Sequence, residues 1–213
     1  MTIAATAFVS SKADWYLMRA TGVVSLVLLT CVMTLGIATV RRWRPGRLPR
    51  FVTPSLHRSL SLLAVVFLVV HIATALADPY ALVSLAAVFV PFVAAGSPFW
   101  VGLGALSLDL IAALVVSSLL RRRVGARAWR AIHWAAYLSW PLAFAHGIGL
   151  GTDASTLWLR GLAAGCLVTV LAAVGWRVRG TKRAKHLEPR PAPAAVPSRP
   201  VRRPASAQRR AAA

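Results

Sequence analysis

Acidic residues are nearly absent from this sequence: five Asp and Glu stand against 25 Lys and Arg, for a formal net charge of +20 over 213 residues. Cysteine is scarcer still, with only Cys31 and Cys166. No CxxCH occurs, which excludes covalent attachment of a c-type haem, and no cysteine cluster offers a zinc or iron–sulfur site. Both cysteines lie in apolar stretches and read as small buried hydrophobes. No G-x-G-x-x-G follows a strand-like run, so no nucleotide-binding turn is expected. No internal repeat is evident.

Apolar residues are abundant. The chain is 58% hydrophobic with a mean hydropathy of +0.66, which places it among polytopic membrane proteins. In a soluble protein a pI near 12.0 would suggest nucleic-acid binding. Here the bases sit in short loops and a tail between apolar runs, so topology explains them and no nucleic-acid partner is expected. The start of the chain does not read as a cleaved signal peptide, because Lys12 is its only early base and the first apolar run is too long.

The expected fold is all-α, a polytopic membrane helical bundle of about five transmembrane helices. A crossing takes about 20 residues of helix. The runs 15–40, 57–77, 99–120, 129–150 and 157–177 qualify. The stretch 80–97 is apolar but short and interrupted by Pro91, and reads as interfacial or partly re-entrant. Arginines fix the orientation. Loop 41–58 carries Arg41, Arg42, Arg44, Arg47, Arg50 and Arg58, and loop 121–130 carries Arg121, Arg122, Arg123, Arg127 and Arg130. A third basic cluster follows Arg177. Five spans place all three clusters on the cytoplasmic side and the N-terminus outside. The domains expected are an outer segment 1–14, a membrane domain 15–180, and a tail 181–213. The tail is rich in Pro, Ala and Arg and too polar to build a core, so disorder is expected. It is a candidate for contact with anionic membrane lipid. His186 lies in it and receives no role.

Four histidines lie inside the apolar segments as two spaced pairs. An ionisable side chain in a lipid-spanning helix is costly and marks a functional site. Neutral imidazole is also a good axial ligand for haem iron. His57 and His71 lie on the second span, nearly on one face and separated by ~21 Å of rise. His133 and His146 lie on the fourth, spaced one residue closer, which leaves an angular offset on an ideal helix. Pro141 between them is expected to kink or locally unwind the helix and restore a common face. Spans two and four run in the same direction. His57 and His133 are then level at the inner side, and His71 and His146 at the outer side. Two b-type haems, each between two imidazoles, fit this arrangement.

The strings HRSLSLLAVVFLVVH (57–71) and HWAAYLSWPLAFAH (133–146) resemble the H-x13-H and H-x12-H pair of the ferric reductase-like transmembrane domain superfamily. That group includes ferric reductases, NADPH oxidases and the haem-binding membrane subunit of the bacterial methionine sulfoxide reductase system. WRAIHWAAY (129–137) also resembles the pattern of the bacterial members, and the likeness covers about residues 15–177. It implies a bacterial-type plasma membrane protein, the electron-transfer subunit of an oxidoreductase. Its cofactors would be two haems b, with iron bound by His57, His71, His133 and His146. Larger members have six spans and a cytoplasmic flavin and NAD(P)H domain. Neither is expected here, so the resemblance implies a separate flavoprotein or quinol donor and an outer-side redox acceptor.

Arg58 beside the inner histidine and Arg19 near the outer end of the first span are candidates for haem propionates. Positive-inside charge accounts equally for Arg58, and interfacial snorkelling for Arg19. Asp109, mid-span in the third helix, suggests a proton relay, a partner for a histidine's second nitrogen, or a packing bond with Ser107 or Ser117. The outer loop 147–156 is a candidate partner surface. Trp100, Trp158 and Trp176 read as interfacial anchors. Two rivals remain: a haem-free transporter or channel using the histidines and Asp109 for protons or metal, and a membrane anchor or assembly factor without redox turnover.

Overall fold

The computed structural model describes residues 2–43, 49, 51–151 and 156–186, with side chains for 13–43, 49, 51–151 and 156–179. Arg44, Arg47, Arg50, the side chains of Lys12 and His186, loop residues 152–155 and the tail from 187 lie outside the described residues. The chain divides into two compact units, Met1–Arg177 and Val178–Ala213. The site described below belongs wholly to the first.

The described elements are all helical: α1 (Thr2–Val40), α2 (Val52–Ala77), α3 (Leu85–Phe89), α4 (Pro98–Leu119), α5 (Arg121–Val124), α6 (Ala126–His133), α7 (Ala136–Leu150) and α8 (Leu157–His186). Residues 2–14 form the first turns of α1, and α8 continues to His186. Among the described residues four helices are long and apolar enough to cross a membrane: α1 over Ala13–Val40, α2, α4, and α8 over Leu157–Arg179. The chain is a multi-pass membrane helical bundle.

The run 129–150, expected as one helix, is broken. It turns at Trp134 and Ala135, between α6 and α7. Backbone N–H groups of Trp134, Ala135, Tyr137 and Leu138 each bond the carbonyl three residues back. That is a tightened, 3₁₀-like turn. It ends where the ring of Pro141 crowds the carbonyl of Tyr137 and supplies no N–H to it. After the break α7 has only 15 residues, about 22 Å of rise.

Segment 80–97 makes no crossing. It holds the five-residue α3 and a series of turns. Asp78 ends α2, its Oδ1 accepting from the Tyr80 N–H at 2.9 Å. Ser84 caps α3 by accepting from the Ala87 N–H at 3.2 Å. Ala87 and Ala94 then pack on Val101 of α4 and Leu150 of α7.

α1 packs closely along α2, α4 along α7, and α1 more narrowly along α7. The core forms where α1, α7 and α8 meet, from Met33, Ile37, Trp140, Cys166 and Val170. Two buried hydrogen bonds lock α7 in place. The Trp140 Nε1–H donates to Thr30 Oγ1 at 3.0 Å, and Ser107 Oγ donates to the Ser139 carbonyl at 2.9 Å. Between lipid-facing helices such bonds and close packing supply cohesion that apolar burial alone does not.

The basic residues gather at one end. The Arg41 guanidinium lies 5.2 Å from the Trp176 ring, and that of Arg121 4.2 Å from Trp129. Arg177 donates to the Tyr137 hydroxyl at 2.5 Å and lies over Trp134. The C-terminal ends of α1 and α4, residues 176–177 of α8 and the start of α6 therefore share one end of the first unit.

Trp140→Phe keeps an aromatic ring in the core but removes the donor to Thr30. It is expected to lower stability by about 1–3 kcal/mol, the cost of an unmade buried hydrogen bond. Reversible denaturation in detergent or bicelles, compared with wild type, measures this.

Candidate functional site

His57 and His71 lie on α2, His133 ends α6, and His146 lies on α7. The structure brings them together in two pairs. The rings of His57 and His133 have centroids 6.4 Å apart, and those of His71 and His146 6.3 Å apart. The tightened turn explains how His133 and His146 both reach α2. Their spacing on an ideal helix leaves them about 140° short of whole turns, and each 3₁₀ residue adds roughly 20° of extra winding. The tightened turn at residues 131–138, one turn before Pro141, supplies overwinding of this kind.

Three of the four imidazoles are held in one way. The His71 Nδ1–H donates to the Met18 carbonyl at 2.9 Å. The His57 Nδ1–H donates to the Val32 carbonyl at 3.0 Å, and that of His146 to the Trp100 carbonyl at 2.9 Å. Each acceptor lies on a neighbouring helix, one helical turn before a glycine: Gly22, Gly36 and Gly104. Each glycine is the seat of the ring. A Cβ on Gly22 would stand 3.0 Å from His71, one on Gly36 3.3 Å from His57, and one on Gly104 2.5 Å from His146. Gly149 of α7 returns the arrangement, leaving room for the Trp100 ring. α1 therefore seats both α2 histidines, and α4 seats the α7 histidine.

This fixes the tautomer. A carbonyl only accepts, so Nδ1 carries the proton and Nε2 keeps its lone pair for a metal. The spacing suits a shared metal. Two imidazoles bound on opposite sides at ~2.0–2.1 Å, each nitrogen about 1.2 Å from its ring centre, place the centroids roughly 6.4 Å apart. Among the described residues no three His, Cys, Asp or Glu side chains gather into a protein-only metal site. Donors in twos suit an iron that already has four equatorial nitrogens from a porphyrin. The donor set and its spacing at both levels, and the tautomers of His57, His71 and His146, fit a haem held between each pair of imidazoles.

His133 differs. Its Nδ1 is buried and has no hydrogen-bond partner among the described residues. Its ring stacks on Trp129, with centroids 4.8 Å apart and planes at 29°.

The remaining candidates are placed as follows. The Arg19 guanidinium lies 4.8 Å from the Trp15 ring, and Arg19 directly follows Met18, the anchor of His71. Arg58 is exposed beside His57. Asp109 is exposed, on the outer face of α4, while the second nitrogens of three histidines are bound to backbone carbonyls. Neither Ser107 nor Ser117 bonds it, since they donate to Ser139 and Leu114 carbonyls. The expected roles of Asp109 inside the bundle are thus replaced by backbone hydrogen bonding. Trp158 is exposed, as expected of an anchor, and Trp100 and Trp176 are partly so. Both cysteines are free thiols, Cys166 buried and Cys31 half-buried.

Sequence reasoning found the histidines but missed the glycines. The signal was present: Gly22 and Gly36 repeat the spacing of His57 and His71.

Residues 21–144 match the family described as "Ferric reductase like transmembrane component". The match covers more than half of the chain and spans three of the four histidines, and the chain belongs to this family. Neither a curated protein nor a solved structure matches it. Membership gives the chain the character of a membrane electron-transfer domain.

Alanine at the three seats should destabilise in the order of the clash. Gly104→Ala is expected to cost about 1–3 kcal/mol from overpacking, Gly22→Ala less, and Gly36→Ala least. Thermal denaturation of the purified variants in one detergent gives the order.

Proposed function

We propose that this protein is a di-haem b membrane cytochrome, the electron-transfer subunit of an oxidoreductase. The observation that carries the reading is the pairing of His57 with His133 and His71 with His146 at 6.4 and 6.3 Å. In this reading the Nε2 atoms of His57, His71, His133 and His146 would hold the haems, and bound haem would supply one-electron chemistry that no side chain here can provide.

The chain's own residues do the rest. The Met18, Val32 and Trp100 carbonyls orient His71, His57 and His146 and make them stronger donors. The apolar flanks of α1, α2, α4 and α7 exclude water and keep the local dielectric low. Arg58 and Arg19 serve as cations for the propionates of the inner and outer groups. The basic end faces the cytoplasm, by the excess of arginine there. The donor is a quinol or a flavoprotein, and the acceptor lies on the opposite side, near α3 and loop 147–156. The domain runs over 15–180, and residues 181–213 form a basic tail for the lipid surface.

A haem-free proton or metal path is less well supported, because Asp109 faces away from the histidines.

Purified from haem-replete cells, the protein is expected to give about two haems per chain in a pyridine haemochrome assay, one for each pair of imidazoles. A folded but colourless protein would sink the proposal. His57→Ala and His133→Ala should each remove the same spectral component, and His71→Ala and His146→Ala the other. Spectroscopic redox titration of the four variants separates this pairing from any other.

A further inference from the structure

The anchors of the histidines follow a common register. On α1 the acceptors Met18 and Val32 have the same spacing as the seats Gly22 and Gly36, and as His57 and His71. On α4 the known acceptor is Trp100 and the known seat is Gly104. Carried on by the same spacing, the fourth acceptor is Leu114 and the fourth seat is Ser118. Only the seat is taken. Ser117 Oγ donates to the Leu114 carbonyl at 3.1 Å, but Thr21 Oγ1 donates likewise to the Met18 carbonyl at 3.1 Å, which still anchors His71. Ser118 carries a Cβ and a hydroxyl, and its Oγ accepts from the Trp129 Nε1–H at 3.3 Å. The Arg121 guanidinium also lies on Trp129, at 4.2 Å, and the His133 ring stacks on it. The buried His133 Nδ1 is left without a partner among the described residues.

We propose that Ser118 is a positioning residue that fills the seat of His133 and so denies it the carbonyl anchor used by the other three histidines. It hands His133 to the Trp129 ring instead, and so makes the centre held by His57 and His133 the more readily reduced of the two. The inference rests on the di-haem reading. A hydrogen bond from Nδ1–H to a carbonyl pushes electron density towards Nε2 and favours the more highly charged state of a bound metal. The His71/His146 pair has two such bonds and the His57/His133 pair has one. Arg121, stacked on Trp129, adds positive charge nearby and works in the same direction. Side chains that give up a buried hydrogen bond call for a reason, and a tuned ligand supplies one.

The test restores the missing seat. Ser118→Gly removes the Cβ and releases the Trp129 indole. In the purified holoprotein the two midpoint potentials are assigned by which one His133→Ala and His146→Ala abolish. Wild type is expected to show the His133 centre at the higher potential. The Ser118→Gly variant is expected to shift the reduction equilibrium of that centre about tenfold towards the oxidised form, near 59 mV for one electron. The His146 centre should stay where it is. A His133 centre at the lower potential in wild type, or no downward shift in the variant, overturns the proposal.

Should Ser118→Gly not fold, Trp129→Leu removes the stack on His133 together with the bond to Ser118 and the seat of Arg121. It is expected to make only the His133 centre open to added imidazole or cyanide, and equal resistance of both centres overturns the proposal. ¹⁵N-histidine spectra of the haem-free wild type give a readout independent of haem. With the His186 signal identified by its loss in His186→Ala, the four paired histidines are expected to give three hydrogen-bonded Nδ1–H signals and one unbonded, and four bonded signals overturn the assignment. A colourless protein that still shows three and one would refute the di-haem reading and the potential order, and leave the anchoring itself demonstrated.

Discussion

An imidazole N–H bonded to a helix carbonyl across a glycine is the interaction on which this architecture turns. Helices in lipid gain little from burying apolar surface against one another, since the tails around them are equally apolar. Close approach and hydrogen bonding must supply the specificity. Each seat supplies both. Glycine lets the ring lie against the backbone, and the carbonyl one turn earlier takes the proton. That carbonyl already serves its own helix, so it accepts through its second lone pair. The bond therefore adds an interhelical link without costing an intrahelical one. α2 shows how far this matters: its apolar window is only 11% buried within the chain. Its two anchored histidines fix both its rotation and its depth against α1.

The same constraint explains the break between α6 and α7. The α2 helix is regular, and on it His71 falls only about 40° short of whole turns from His57. The partner segment is one residue shorter between its histidines. A regular helix would turn one of them away from the cleft. The 3₁₀-like turn at 131–138 adds winding and length where both are needed. Trp140, held by Thr30, fixes α7 immediately after the turn, so the adjustment falls on α6 and on His133. It is no coincidence that the histidine on the adjusted segment is the one without a carbonyl anchor.

Much of this was legible in the sequence. The two histidine spacings, the arginine asymmetry and the weak apolar segment 80–97 pointed to the helical bundle, the partners within each pair and the lack of a membrane-length helix between α2 and α4. Three things were not legible. The break at Trp134 carries no glycine and no proline of its own, so the period of the apolar pattern ran through it unchanged. Gly22, Gly36 and Gly104 look like ordinary membrane glycines until the rings that fill them are known. Asp109 looked like a functional group because its level in the membrane is central. Its azimuth on α4, which decides what it faces, is set by the seat at Gly104 and by Ser107 bonding Ser139, and those turn it outward. Depth is readable from position along a helix, whereas azimuth needs the contacts.

The division of labour between the ends of the bundle follows from these parts. At the end holding His71 and His146, both rings are bound to carbonyls, and α3 with Ala94 packs over α4 and Leu150. Little there can move without breaking a seat. At the other end, cations stack on aromatic rings: Arg41 on Trp176, Arg121 on Trp129, Arg177 on Trp134. Such contacts are broad in direction and hold charge close without a fixed hydrogen-bond geometry. They suit a surface where the chain must carry many like charges with almost no acids to pair them. They also leave His133 held by stacking, which fixes the plane of the ring but not the proton on its Nδ1. One end of the first unit thus has both histidines on carbonyls, while the other has only His57 so held and adds cation–aromatic contacts to its hydrogen bonds. Any difference in how the two histidine pairs hold a metal begins with that contrast.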